Sequence, residues 1–173
     1  MPGSHMVYTG NIVFESENRK RKDRYTLKNI VLIGMPGAGK STVGVVIAKK
    51  LGYRFMDSDL VIQERTGKML HEIIEEKGTE GFLTVEGEIN ASLCCDRTVI
   101  ATGGSVVYSA KAMEHLKEIG RVVYLQLSCE AVAERLGDLQ ERGVALKEGQ
   151  TLRDLYEERT PLYERYADIT LNC

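Results

Sequence analysis

Gly34-Met35-Pro36-Gly37-Ala38-Gly39-Lys40-Ser41 decides how the rest of the chain reads. The stretch satisfies G-x-x-x-x-G-K-[ST], the pattern of a loop that wraps a polyphosphate. Its glycines let the backbone turn tightly and aim several N–H groups inward as an anion nest. The context is that of such a loop. Asn29-Ile30-Val31-Leu32-Ile33 is apolar and β-branched, and reads as a buried strand leading into Gly34. Residues 41–51 carry Val43, Val46, Ile47 and Leu51 at helical spacing, with Gly52 as the stop. That helix offers the loop free N–H groups and the positive end of its dipole. Lys40 adds a point charge for the β- and γ-phosphates, and the Ser41 hydroxyl is placed to ligate Mg²⁺. On this reading Gly37, Ala38, Gly39, Lys40, Ser41 and Thr42 contact the nucleotide, and the ligand is ATP with Mg²⁺.

Downstream, strands and helices alternate. Strands are expected at 53–57, 98–101, 121–127 and 168–172. Helices are expected at 59–76 with a break at Thr66-Gly67, at 79–95, at 110–119 capped by Ser109, and from Ser128 to about 136. Thr151 opens the last helix, with Asp154 three residues on as a capping box. Alternation of this kind implies crossover connections and a parallel sheet with helices on both faces. Residues 29–173 form one α/β domain. Residues 1–28 form a separate polar arm with the basic run Arg19-Lys20-Arg21-Lys22, and Gly3-Ser4-His5-Met6 at its start has the look of an expression-vector scar.

Composition narrows the function classes. The chain has 173 residues, 28% charged, with a formal net charge of -2. That balance points away from nucleic acid and from anionic membrane as partners. No apolar run approaches a membrane span. The cysteines at 94, 95, 129 and 173 form no C-x-x-C pair, so reduced thiols in a cytoplasmic protein are expected, and the protein is read as a monomer.

Asp57-Ser58-Asp59 closes the second strand. In a parallel sheet the carboxyl ends of the strands face the ligand crevice, which brings both acids toward the phosphates. Alternation along an extended segment would point Asp57 and Asp59 the same way. One acid can help hold Mg²⁺, and the other can take a hydroxyl proton from an acceptor. An acidic cap for the next helix is the other reading of the pair, and the two uses are compatible.

In these pieces the chain resembles the shikimate kinases, within the nucleoside-monophosphate-kinase group of P-loop folds. The likeness runs from about 29 to 172 and rests on GMPGAGKSTVG (34–44), FMDSD (55–59), RTG (65–67), FxxxE (82–86), ATGGSVV (101–107), VVYL (122–125) and RTPLYERYAD (159–168). It implies a five-stranded parallel sheet in order 2-3-1-4-5. It also implies ATP-dependent phosphorylation of a hydroxyl on a small, anionic hydroxy acid, a step of aromatic amino acid biosynthesis. Under the resemblance Asp57 is the magnesium-side acid, and Asp59 binds the substrate diol and orients the attacking hydroxyl. Gly103 and Gly104 line the acceptor pocket, and Arg159 grips a carboxylate. Arg135 stacks on adenine. A lid falls at about 136–150, where Arg142 approaches the transferring phosphate together with Lys40.

Three positions depart from the family pattern. Where the family has Phe-Arg-x-x-Glu, this chain has Phe82-Leu83-Thr84-Val85-Glu86. A charged hydrogen bond lost in a semi-enclosed pocket is worth roughly 1.5–3 kcal/mol, and Glu86 loses the arginine it steadies. A glycine triplet becomes Gly103-Gly104-Ser105, and a lid Arg-Pro-Leu-Leu becomes Arg142-Gly143-Val144-Ala145. The nucleotide side is intact. The acceptor side leaves open shikimate, another hydroxyl bearer (a sugar acid, an amino-acid hydroxyl or a nucleotide), or a nucleotide-binding module without transfer.

Overall fold

The β-branched run that leads into the glycine loop forms the central strand of a parallel sheet. In the computed structural model, which describes residues 29–136 and 149–173, this strand is β1, Asn29–Ile33, and Val31, Leu32 and Ile33 are fully buried. The other strands are β2 (Arg54–Asp57), β3 (Thr98–Ala101), β4 (Arg121–Gln126) and β5 (Ile169–Asn172), in the order β2-β3-β1-β4-β5. All four ladders are parallel. The order is the one the resemblance implies. β5 is an edge strand whose residues are all exposed.

The helices are α1 (Lys40–Leu51), α2 (Ser58–Thr66), α3 (Leu70–Asn90), α4 (Ala110–Ile119), α5 (Cys129–Leu136) and α6 (Leu152–Tyr166), with a 3₁₀ turn at Val106–Tyr108. Local chemistry sets many ends. Gly52 takes a left-handed conformation after α1, and Tyr53 N–H donates to Ala48 O, which keeps Tyr53 out of the expected strand. Ser109 caps α4, and Thr151 with Asp154 closes a capping box on α6. Pro161 lies inside α6 without ending it.

The expected interruption between 76 and 79 is present: Gly78 is non-helical (φ 69°, ψ 176°), and two helical stretches meet there across a kink within α3. One expectation is corrected, since the second stretch ends at Asn90 rather than Cys95. After Asn90 the chain turns Leu93 into the core, 2% exposed. The expected break at Thr66-Gly67 is present, with Gly67 at φ 67° as the stop of α2.

The main core lies between sheet and helices and includes Leu32, Ile100, Met113, Leu116 and Tyr124. A smaller cluster of Ile62, Ile73 and Phe82 joins α2 to α3 beside it. At the amino ends of the strands, buried Asn29 is fully bonded. Its Nδ2 donates to Cys95 O and Ile119 O, both 2.8 Å, and its Oδ1 accepts from Thr98 N–H at 3.0 Å. This clamp ties three chain segments together at one end of the sheet and leaves the carboxyl ends open for a site. The lid expected at 136–150 falls outside the described residues except Leu136, Gly149 and Gln150, as do Arg142 and the arm at 1–28.

Candidate active site

Leu32 and Asp57 both pair with Ala101, so the ends of β1, β2 and β3 stand side by side. The loop after β1, the acids after β2 and the glycines after β3 therefore meet in one cavity of about 400 Å³. One end is lined by Gly37, Gly39, Lys40, Ser41 and Thr42, with Arg135 on the wall. The other is lined by Asp59, Phe82, Glu86, Gly103, Gly104 and Arg159.

At the nucleotide end, Lys40 is 8% exposed, and its Nζ donates to Gly34 O (2.8 Å) and Met35 O (2.9 Å). Burial pulls its pKa down to about 8, with nearby Asp59 opposing the shift. Gly37 needs a left-handed φ of 77°, and a Cβ there would meet the Leu136 side chain at 3.2 Å, which seats the loop against α5. Arg135 occupies the last turn of that helix and is exposed. Ala38 is the expected contact that does not reach the cavity lining. Its side chain is 2% exposed, and its N–H donates to Met35 O at 3.1 Å.

The acid pair is arranged differently from the expected extended segment. The strand stops at Asp57, which caps α2: its Oδ1 accepts from Asp59 N–H at 3.0 Å. Asp57 Oδ2 accepts from the Ser41 hydroxyl at 2.7 Å. Asp59 thus points from the first turn of a helix, and the two acids reach the cavity by separate routes. Burial, and then the neighbouring Asp57, raise the Asp59 pKa to about 6. Its Oδ1 is buried with no hydrogen-bond partner among the described residues.

Arg159 is 1% exposed, on α6. Its Nε–H donates to the Tyr108 hydroxyl at 3.1 Å, and its guanidinium lies 5.2 Å from the centroid of that ring. One turn on, the Tyr163 hydroxyl donates to Gly104 O at 2.6 Å and reaches Met35 Sδ at 3.9 Å. The same ring stacks on Tyr124 with centroids 5.1 Å apart. Leu83 lines a side cavity of about 180 Å³ that has Arg159 as a shared wall, instead of the main cavity.

Glu86 was read from the sequence only as the partner of a missing arginine. It proves to be 1% exposed in the cavity floor. Burial raises its pKa to about 7, the Ser105 hydroxyl opposes the rise as a hydrogen-bond donor, and the Asp59 charge adds to it. Between its ordinary 4.5 and about 7, the folded protein holds a proton that the unfolded chain releases, so stability falls as pH rises through that window. Glu86→Gln is therefore expected to stabilise the ligand-free protein by up to about 3 kcal/mol at pH 8 and by almost nothing at pH 4.5, read as thermal melting at the two pH values. Equal melting of the two proteins at pH 8 would refute a buried acid held at this cost.

The comparisons with known proteins agree with this geometry. The family model for "Shikimate kinase" matches residues 36–172. The shikimate kinase of Methylococcus capsulatus is 41% identical over 148 residues, spanning 84% of this chain and 83% of that protein. That of Thiobacillus denitrificans is 40% identical over 148 residues, covering 83% and 80%. Among solved structures, the shikimate kinase of Acinetobacter baumannii in complex with shikimate superposes with a TM-score of 0.77 at 39% identity, covering 88% of this chain and 87% of that one.

Proposed function

The chain belongs to the shikimate kinase family, and from that premise we propose that it transfers the γ-phosphoryl group of ATP to a hydroxyl of shikimate. The observation that carries the proposal is the single cavity with a phosphate nest at one end and a buried acid and a buried guanidinium at the other. Phosphoryl transfer asks chiefly for positioning and for stabilisation of spread negative charge. The loop amides and Lys40 receive the β- and γ-phosphates. Arg159, held by the Tyr108 hydroxyl and ring, binds the acceptor carboxylate. Asp59 accepts the hydroxyl proton as the acceptor oxygen bonds to phosphorus and the bridging bond to ADP breaks. Arg135 packs on the base, and Arg142, outside the described residues, completes the charge around the transferring group. The Ser41 hydroxyl and Asp57 carboxylate, already paired at 2.7 Å, form a hard-oxygen set suited to Mg²⁺, which when bound neutralises phosphate charge. Free thiols at all four cysteines suit a cytoplasmic setting.

The test is coupled ADP release with shikimate, sugar acids, amino acids bearing hydroxyls, and nucleotides as acceptors. Shikimate is expected to give the highest kcat/KM. Arg159→Met is expected to raise the KM for shikimate roughly 10- to 150-fold, with the KM for ATP little changed. ADP release that ignores the acceptor, or a nucleotide outranking shikimate, would end this reading. Leu83 supports one refinement: with an aliphatic side chain beside Arg159, the carboxylate grip rests more heavily on that single guanidinium.

A further inference from the structure

Arg159 is a wall of two cavities, the main one and the side cavity of about 180 Å³. Leu83, Tyr108, Gln150 and Glu158 line the side cavity, and none of them lines the main one. The shared guanidinium has a set orientation. A Cβ added to Gly104 would lie 3.1 Å from Arg159 Nη1, so the tip of the side chain abuts the lining of the main cavity. Its Nε–H is committed to the side cavity, where it donates to the Tyr108 hydroxyl at 3.1 Å. Arginine carries its N–H donors in one rigid plane. With the Nε edge taken by Tyr108, a planar anion in the main cavity is met by the Nη tip.

The phenol oxygen is itself held. Glu158, the residue before Arg159 on α6, stands within hydrogen-bonding reach of it. A hydroxyl that accepts from an arginine has its own proton to give, and a carboxylate only accepts. The polarity is therefore fixed: Arg159 donates to Tyr108, and Tyr108 donates to Glu158. Gln150 Nε2 donates to Glu158 Oε2 at 2.8 Å and anchors the far end of the chain. Leu83, in the same cavity, is aliphatic and competes for none of these bonds.

We propose that Tyr108 and Glu158 are positioning residues for acceptor binding: from outside the main cavity they hold the Nε edge of Arg159 and aim its tip at the acceptor anion, so that acceptor affinity is set from the side cavity. The guanidinium is then ordered before the acceptor arrives, and less side-chain freedom is lost on binding. Charge alone predicts the opposite for Glu158. A carboxylate near an anion site weakens that site, so its removal would tighten acceptor binding. Under positioning its removal loosens binding. The inference rests on the kinase reading for the identity of the acceptor, and its test separates the two.

The experiment is steady-state kinetics at saturating ATP for native, Tyr108→Phe, Glu158→Ala and Arg159→Met proteins and for the Tyr108→Phe, Arg159→Met double variant. The acceptors are shikimate and its uncharged methyl ester, with the KM for ATP and thermal melting as controls for folding. Tyr108→Phe keeps the ring and deletes the hydroxyl. It is expected to raise the KM for shikimate roughly 3- to 10-fold, and Glu158→Ala roughly 2- to 5-fold. Neither is expected to move the KM for the ester by more than about twofold, and Tyr108→Phe is expected to add less than about twofold once Arg159 is Met. Calorimetric binding of both acceptors to the ADP-loaded proteins gives the same comparison where a variant is too slow to assay. The Arg159 Nε–H proton, identified by its loss in Arg159→Met, reads the clamp with no acceptor present, and its exchange with water is expected to be about tenfold faster in Tyr108→Phe. An unchanged shikimate KM in Tyr108→Phe overturns the proposal. So does a Glu158→Ala protein that binds shikimate as tightly as the native one or more tightly, an equal rise for shikimate and ester, a full Tyr108→Phe effect without Arg159, or an unchanged exchange rate. Native turnover of shikimate together with any of these leaves the kinase reading standing and removes this one. Failure of the native protein to use shikimate removes both.

Discussion

Lys40→Ala is expected to lower kcat/KM for ATP by about 10²–10³-fold, the cost of deleting one preorganised donor aimed at developing negative charge. The expectation follows from where the ammonium sits. It is buried and held by two carbonyls of its own loop. That burial lowers its pKa from 10.5 to about 8, so below about pH 8 the folded protein carries a charge that it accommodates less well than water does. A side chain retained at such a cost serves a ligand rather than the fold. Lys40→Met, which keeps the bulk and removes the charge, should melt no lower than the native protein at pH 7 and should still lose the activity. Steady-state kinetics and thermal melting on the two variants decide the matter. Near-native turnover in either one would remove the ammonium from the mechanism.

Asp59→Asn is expected to lower kcat by about 10²–10⁴-fold with the KM for ATP nearly unchanged. Asparagine preserves size and polarity and cannot take a proton. Asp59 is separable from Asp57 on structural grounds. Asp57 is committed to capping α2 and to the Ser41 hydroxyl, whereas Asp59 presents a buried oxygen with no partner among the described residues to the acceptor end. A single-turnover measurement with saturating ATP and shikimate isolates the chemical step. Loss of less than tenfold there would assign the proton to another group.

How much of this was legible in the sequence depends on the range of the interaction involved. The glycine loop is an eight-residue object whose geometry is set by its own residue types, and the structure has it in the anticipated place. Strand order could not come from periodicity, which says nothing about which strand lies beside which. It came from motif order shared with a family. Asp57 and Asp59 were correctly brought to the cavity for a partly mistaken reason, because alternation along a strand fails when a helix begins at Ser58. The interruption between residues 76 and 79 was legible because it is local: Gly78 takes a φ of 69° that other residues rarely adopt, and the helix breaks its regular path there. Glu86 is the instructive miss. Along α3 it stands among other glutamates at 80 and 88, and helical spacing alone does not distinguish them. What sets it apart is contact with a loop 17 residues further on, around Gly103. Ser105 was the available signal, a hydroxyl where the family has glycine. Ala38 shows the reverse limit, since membership in the motif does not turn every side chain into the cavity.

Arg159 and Tyr163 are one turn apart on a single helix, α6. The first lines the end of the cavity proposed for the acceptor, and the second fastens Gly104 while touching Met35 of the phosphate loop. Both substrates are thus referenced to one beam, and a small tilt of that beam would misalign donor and acceptor together instead of either alone. Faults introduced along its buried side should consequently surface as poor in-line geometry, in the form of slow chemistry at saturating concentrations of both substrates, before they surface as weak binding.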